Sequence, residues 1–135
     1  MQFTIERKRL IKMLESVRRK LPGQKNKDKN VRLFACAARV FVDANGVTAG
    51  DEALVLAEGG CLVRLETFLA LLKTYPDKSN ITIQADERAL RFFSTTLSVS
   101  DFTRTVAPPA NFIVGGVTDD WLGGDRLKPG PSEAR

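Results

Sequence analysis

The sequence predicts a single α+β domain in which two amphipathic helices pack on one face of antiparallel sheet. Three observations carry this. Apolar residues recur at helical spacing in two stretches, residues 10–21 and 65–75, whereas most of the remaining chain up to residue 102 alternates or runs apolar in strand-length pieces. Each helical stretch directly follows a short strand. Sliding the chain against itself by 58 positions lays Ile5 on Val63, Leu10 on Phe68, Ile11 on Leu69, Leu14 on Leu72 and Val17 on Tyr75, which reads as an internal duplication.

Taken in order, residues 2–5 alternate polar and apolar side chains, a half-buried strand running straight into a helix that begins near Glu6. Leu10, Ile11, Leu14, Val17 and Leu21 gather on one side of that helix, and Pro22-Gly23 stops it. A step of about 100° per residue puts Lys8, Lys12 and Arg19 near the middle of the opposite side, with Arg9, Glu15 and Ser16 beside them. Residues 24–30 form a polar, lysine-rich loop with no apolar anchor, expected to stay mobile until something anionic orders it.

Residues 31–42 read as extended structure. Asp43-Ala44-Asn45-Gly46 has hairpin-turn chemistry, because Asn and Gly tolerate positive φ, and residues 47–50 begin the return strand. An apolar strand at 53–57 is broken by Gly59-Gly60, a short strand covers 61–63, and Leu65, Phe68, Leu69, Leu72 and Tyr75 mark a second helix ending before Pro76. Residues 80–84, 89–93 and 95–102 complete a meander, with Asp86-Glu87-Arg88 as one tight connection. From Pro108 onward prolines and glycines prevent regular structure, so the chain divides into a domain over residues 1–112 and a Gly/Pro-rich tail over 113–135. Residues 112–114 and Trp121 are the exceptions in that tail, expected to dock on their own domain, with a neighbouring molecule as the alternative.

Apolar residues make up 43% of the 135 and charged residues 27%, and no apolar run approaches the roughly 18 residues that span a bilayer, so no membrane role is expected. Arg7, Lys8 and Arg9 near the start are not followed by the apolar core of a secretory signal, which implies a cytoplasmic address. Cys36 and Cys61 lie far apart in apolar strands and are expected to be buried free thiols. Histidine is absent, removing the commonest general base and the commonest zinc ligand. The acidic pairs Asp51-Glu52 and Asp119-Asp120 lack neighbouring ligands, and Gly59-Gly60 and Gly115-Gly116 lack the Lys-Ser/Thr or spaced glycines of a phosphate loop. Neither an enzyme nor a cofactor or metal site is expected.

The net charge of +5 is unevenly placed. Residues 1–30 carry ten Lys and Arg against Glu6, Glu15 and Asp28, a balance of +7, and the rest of the chain sums to −2. Concentration of cations on one helix and its following loop favours an anionic partner, nucleic acid before membrane. No base-reading motif accompanies them, so any contact is with the phosphate backbone. A solvated charged face is the competing reading.

The opening Phe3-Thr4-Ile5-Glu6-Arg7, then Leu10-Ile11-Lys12, Leu14 and Val17, resembles the start of the bacterial DNA sliding clamp, the beta subunit of DNA polymerase III. Val47-Thr48-Ala49-Gly50-Asp51 and the strand after it resemble that family's strand and Asp corner, and the second helix arrives in the right order; the resemblance spans residues 1–112 and is densest over the first 17. It implies a domain of two strand-helix-strands halves, sheets outside, with helices whose basic faces line a hole for DNA. On that reading Lys8, Lys12, Arg19, Lys20, Lys25 and Lys27 are DNA-contacting residues, with Lys73 the one contribution of the second helix. The family chains three such domains and this sequence contains one. Its first domain ends in Asp-Phe-Pro where this chain has Asn111-Phe112-Ile113, which implies that the connection to a next domain is lost.

Two binding functions follow. One is a miniature clamp on non-specific double-stranded DNA, about six copies closing edge to edge into a homo-oligomeric ring. The other is a stand-alone interaction module that keeps the fold and pairs with another clamp or replication protein without encircling DNA. A small enzyme would need a catalytic constellation that is not present in the sequence.

Overall fold

The computed structural model describes residues 1–21 and 29–114 of the chain. Alternation of Phe3 and Ile5 with Gln2 and Thr4 gives β1 (Gln2–Glu6) one buried face, and it enters α1 (Arg7–Lys20) without a loop. α1 buries Leu10, Met13, Leu14 and Val17; its last turn holds Arg18, Arg19 and Lys20, cations that sit favourably at the negative end of the helix dipole. The same join recurs where β6 (Gly59–Arg64) enters α2 (Leu65–Leu72), which buries Leu65, Phe68, Leu69 and Leu72. The apolar strand before Gly59-Gly60 ends at Ala57, as expected, and the two glycines themselves open β6, opposite Ala35 and Phe34.

The extended stretch expected over residues 31–42 is two strands, β2 (Asn30–Cys36) and β3 (Arg39–Ala44). They turn at Ala37 and Ala38, both with positive φ (53° and 60°), the left-handed pair that a tight hairpin requires. The Asn45-Gly46 turn is present as expected, with φ of 53° and 79°, and leads into β4 (Val47–Glu52). A bend at Ala53 carries the chain into β5 (Leu54–Ala57). After α2 come β7 (Asn80–Ala85) and β8 (Ala89–Phe92), joined by a turn in which the Asp86 carboxylate accepts the backbone N–H groups of Arg88 and Ala89. The single strand expected over 95–102 bends at Val99 into β9 (Thr95–Ser98) and β10 (Ser100–Thr103), and β11 (Ile113–Val114) extends regular structure past residue 112.

The strands form two sheets, in the order β5-β1-β7-β8-β9 and β10-β6-β2-β3-β4-β11. Replacing each strand of the first half (β1–β5) by its counterpart in the second (β6–β10) turns the first order into the second, with β11 as the one addition. The duplication read from the sequence is therefore a property of the topology, and each sheet draws strands from both halves. The helix starts are equally reciprocal: Arg7 N–H donates to Ser79 O at 2.8 Å, before β7, and Leu65 N–H donates to Lys29 O at 2.8 Å, before β2. Each of these N–H groups, unpaired within its own helix, is satisfied by the other half.

The helices pack against each other and, with the inward side chains of both sheets, enclose one apolar core that includes Cys61. Alternation along β2 and β3 sends Phe34, Cys36 and Phe41 to the other face of their sheet. There they form a second, smaller cluster under Val106 and Phe112. Both cysteines are buried and free, as the sequence suggests, and burial pushes both thiols up, Cys61 to about 11.

Candidate nucleic-acid interface

The side of α1 turned away from the core is the most cationic surface of any element. Lys8, Arg9, Lys12, Arg18, Arg19 and Lys20 are all exposed. Their order across that face follows from helix geometry. Lys8, Lys12, Glu15 and Arg19, spaced by four, three and four residues, form the central stripe; Arg9 lies on the flank toward β4 and Arg18 on the flank toward α2. The rise of about 1.5 Å per residue sets Lys8 and Lys12 about 6 Å apart along the axis.

The flanking cations are tied to the protein. Arg9 bridges Glu6 at 3.1 Å and Asp51 at 3.5 Å, and Arg18 bridges Glu66 of α2 at 3.0 Å. Lys73, just past α2, bridges Glu15 at 2.9 Å, so it neutralises the one acid in the stripe. The exposed pairs, Arg9–Glu6 and Arg18–Glu66, are worth only about 0.2–1 kcal/mol each, and a phosphate competes with them easily. Among the described residues no carboxylate lies within salt-bridge distance of Lys8 or Lys12. Arg19 donates only a long, 3.5 Å hydrogen bond to Ser16 Oγ. The stripe thus presents Lys8, Lys12 and Arg19 to solvent, with Lys20 exposed at the helix end, while Lys25 and Lys27 lie outside the described residues, as does Trp121.

Two neighbours of the stripe differ from the expectation. Ser16, placed on the exposed side by the angular count, is buried at 2% exposure, and Met13, absent from the expected apolar set, is fully buried. The groove occupied by α1 is wider than a five-residue stripe, since the helix contacts β3 and β4 as well as α2. Arg7, one of the ten cations behind the charge argument, does not face solvent. Its guanidinium donates to Lys78 O at 2.9 Å, Leu72 O at 3.2 Å and Pro76 O at 3.4 Å, satisfying carbonyls at the end of α2 and in the turn after it. Helical spacing places Arg7 on the core side with Leu10, Leu14 and Val17, unlike Lys8, but its carbonyl partners, 65 to 71 residues away, leave no signal within α1.

Asp51 is the buried acid of the region. Burial raises its pKa, opposed by the N–H of Glu52 at 2.8 Å and by Arg9. No group of three or more Cys, Asp or Glu among the described residues is placed to hold a metal, and no helix there is long and apolar enough to cross a membrane.

Solved structures with the same arrangement decide the fold. The Helicobacter pylori beta clamp superposes with a TM-score of 0.65 at 17% identity, over 75% of this chain and 30% of that chain. The chain has the fold of one sliding-clamp domain. The DNA polymerase III beta sliding clamp of Bartonella birtlesii matches at 0.64 and 22% identity (74% of this chain, 31% of that one), and Caulobacter crescentus polymerase III beta at 0.61 and 19% (83% and 31%). A further structure of the H. pylori clamp is bound to a DNA ligase peptide. The clamp-like chain spans under a third of the length of these clamps, as one domain of a longer protein would. No protein-family model and no curated protein sequence matches it.

Proposed function

We propose that this chain is a sliding-clamp-like, replication-associated domain, not an enzyme, that contacts the phosphate backbone of double-stranded DNA without sequence preference through the exposed face of α1. Lys8, Lys12, Arg19 and Lys20 make the contacts, Lys25 and Lys27 extend them along the following loop, and Lys73 contributes by holding Glu15. The observation that carries this reading is the pair Lys8 and Lys12, exposed, one turn apart and without a carboxylate partner among the described residues, on a helix of a clamp-fold domain. A DNA ligase peptide on one structural neighbour supports a replication protein as a second class of partner.

The test is the salt dependence of binding to a duplex of arbitrary sequence. Each phosphate neutralised contributes a slope of about −0.9 in log affinity against log salt. Replacing Lys8 and Lys12 together by alanine is expected to make the slope shallower by about 1.8, with Lys73→Ala changing it less. An unchanged slope in the double variant, or no duplex binding at low salt, overturns the reading.

Between ring and lone module, one observation favours the module. Closure that joins the two pseudo-equivalent edges, β9 of one copy to β4 of the next, needs both open, and the outer edge of β4 is already paired with β11. The chain then works as a domain of clamp fold that pairs with another clamp or replication protein. Light scattering with and without a circular duplex separates the two: about six-fold mass supports the ring, and a monomer or dimer supports the module.

A further inference from the structure

The pseudo-twofold has one violation. Among the described residues β9, at the edge of one sheet, has no strand beyond it, whereas its counterpart β4 is covered by β11, for which the second half shows no equivalent. β11 pairs in parallel with β4 at two positions only, Ile113 opposite Ala49 and Val114 opposite Gly50. Residues 105–112 leading to it run without regular structure across the outer face of the sheet.

Two aromatic contacts anchor that crossing. The Phe112 ring meets Phe41 edge-on at 5.2 Å between centroids, and Arg39 sits over its outer face at 5.3 Å. Phe41 in turn stacks on Phe34 at 5.1 Å. Glycines make the seat. A Cβ on Gly50 would lie 2.6 Å from Phe41 and 3.0 Å from Phe112, and one on Gly60 would lie 2.8 Å from Phe34 and 3.2 Å from Val106. The sheet is thus cut away under both anchors, Val106 and Phe112. The hold is nevertheless slight: two paired residues against the six that join β3 to β4, with Val114 still 41% exposed.

We infer that residues 106–114 are an intramolecular strap that caps the β4 edge and the Phe34–Phe41 patch, and that its release opens both to the strand edge of a second copy of this chain. An uncovered β4 presents a row of unpaired backbone groups beside two aromatic rings, the combination that recruits another strand. The second copy is the fitting occupant because it brings β9, an open edge related to β4 by the pseudo-twofold. The strap rests on the fold alone and not on DNA contact.

The test is the mass of the full chain in the absence of DNA, by light scattering across the micromolar range, for the wild type, Phe112→Ala and Ile113→Pro. Proline removes the backbone donor of β11 and alanine removes the anchor ring. The wild type is expected to stay at monomer mass, and both variants to rise at least two-fold with concentration while keeping the wild-type circular dichroism. Unchanged mass in folded variants, or the same rise in the wild type, overturns the inference. Amide exchange in the wild type decides the matter even if both variants unfold: β4 amides facing β11 should exchange at least ten-fold faster than those of central β2, and equal rates would mean that the strap does not lift.

Discussion

From the start of α1 to the start of β2 the chain uses residues 7–29, and from the start of α2 to the start of β7 only residues 65–79. The first connection is eight residues longer and carries ten Lys and Arg against two acids; the second carries Lys73 and Lys78 against Glu66 and Asp77. The packing positions nevertheless coincide. Leu10 and Phe68, Leu14 and Leu72, Ile5 and Val63 are all buried at equivalent places in the two halves. The dense interior tolerates little change of volume, so the halves retain matching core positions. The outward faces carry no such constraint, and that is where they diverge. The surplus positive charge is therefore not a by-product of the fold, since the second half builds the same fold without it.

The largest expected effect lies at the one buried position where the halves differ in chemistry. Arg7 and Leu65 both open their helices and are both buried. Replacing Arg7 by Leu makes the halves alike but strips donors from three carbonyls, and is expected to cost about 2–3 kcal/mol in urea denaturation. Lys12→Ala on the same helix should stay within about 0.5 kcal/mol. Equal losses for both would erase the distinction between structural and outward-facing cations.

A smaller effect separates the equivalent first hairpins. The β7–β8 turn is held by Asp86, whereas the β2–β3 turn places two alanines at positive φ. Ala38→Gly relieves left-handed strain at an exposed site and is expected to add about 0.5–1 kcal/mol, read as a higher urea midpoint. A loss instead would show that Ala38 contributes more than its backbone shape.

The subtlest contrast is in acid. Two backbone N–H groups hold the Asp86 carboxyl down to about 2, so its contribution is present above the usual carboxylate range and fades as pH falls from about 4 toward 2. Burial moves Asp51 the other way, so its ionised form costs stability as pH rises from about 4 through its raised pKa. Thermal melts should show Asp86→Ala converging on wild type with falling pH, while any advantage of Asp51→Asn grows with rising pH. Matching profiles would contradict the opposite environments of the two acids.

Much of this fold was legible because it rests on local signals. Helical spacing marked both helices, Asn45-Gly46 marked its turn, and the 58-residue offset marked the duplication that the strand orders display. What escaped was decided across the chain. Ala37-Ala38 turns because β2 and β3 must pair, not because alanine favours positive φ. Gly59-Gly60 marked the end of one strand, but not that the small residues open the next one and let Phe34 and Val106 close over it. In the candidate interface, exposure of Lys8, Lys12 and Arg19 followed from periodicity. Which cations were already spoken for did not: Arg18 meets Glu66 across 48 residues, and Arg7 meets Leu72 across 65.

The interleaving of strands also sets the order in which the chain can fold. β1 lies between β5 and β7, so the second residue of the chain waits for Gln84 to emerge before its inner neighbour is in place. Neither half can close a sheet of its own, and β1 to β7 is a contact of long sequence separation. Such topologies fold slowly, on the order of milliseconds to seconds, in a late concerted step. During synthesis the basic helix therefore emerges well before β3, β4 and α2, the elements it packs on, and both sheets are complete only when the last strands arrive.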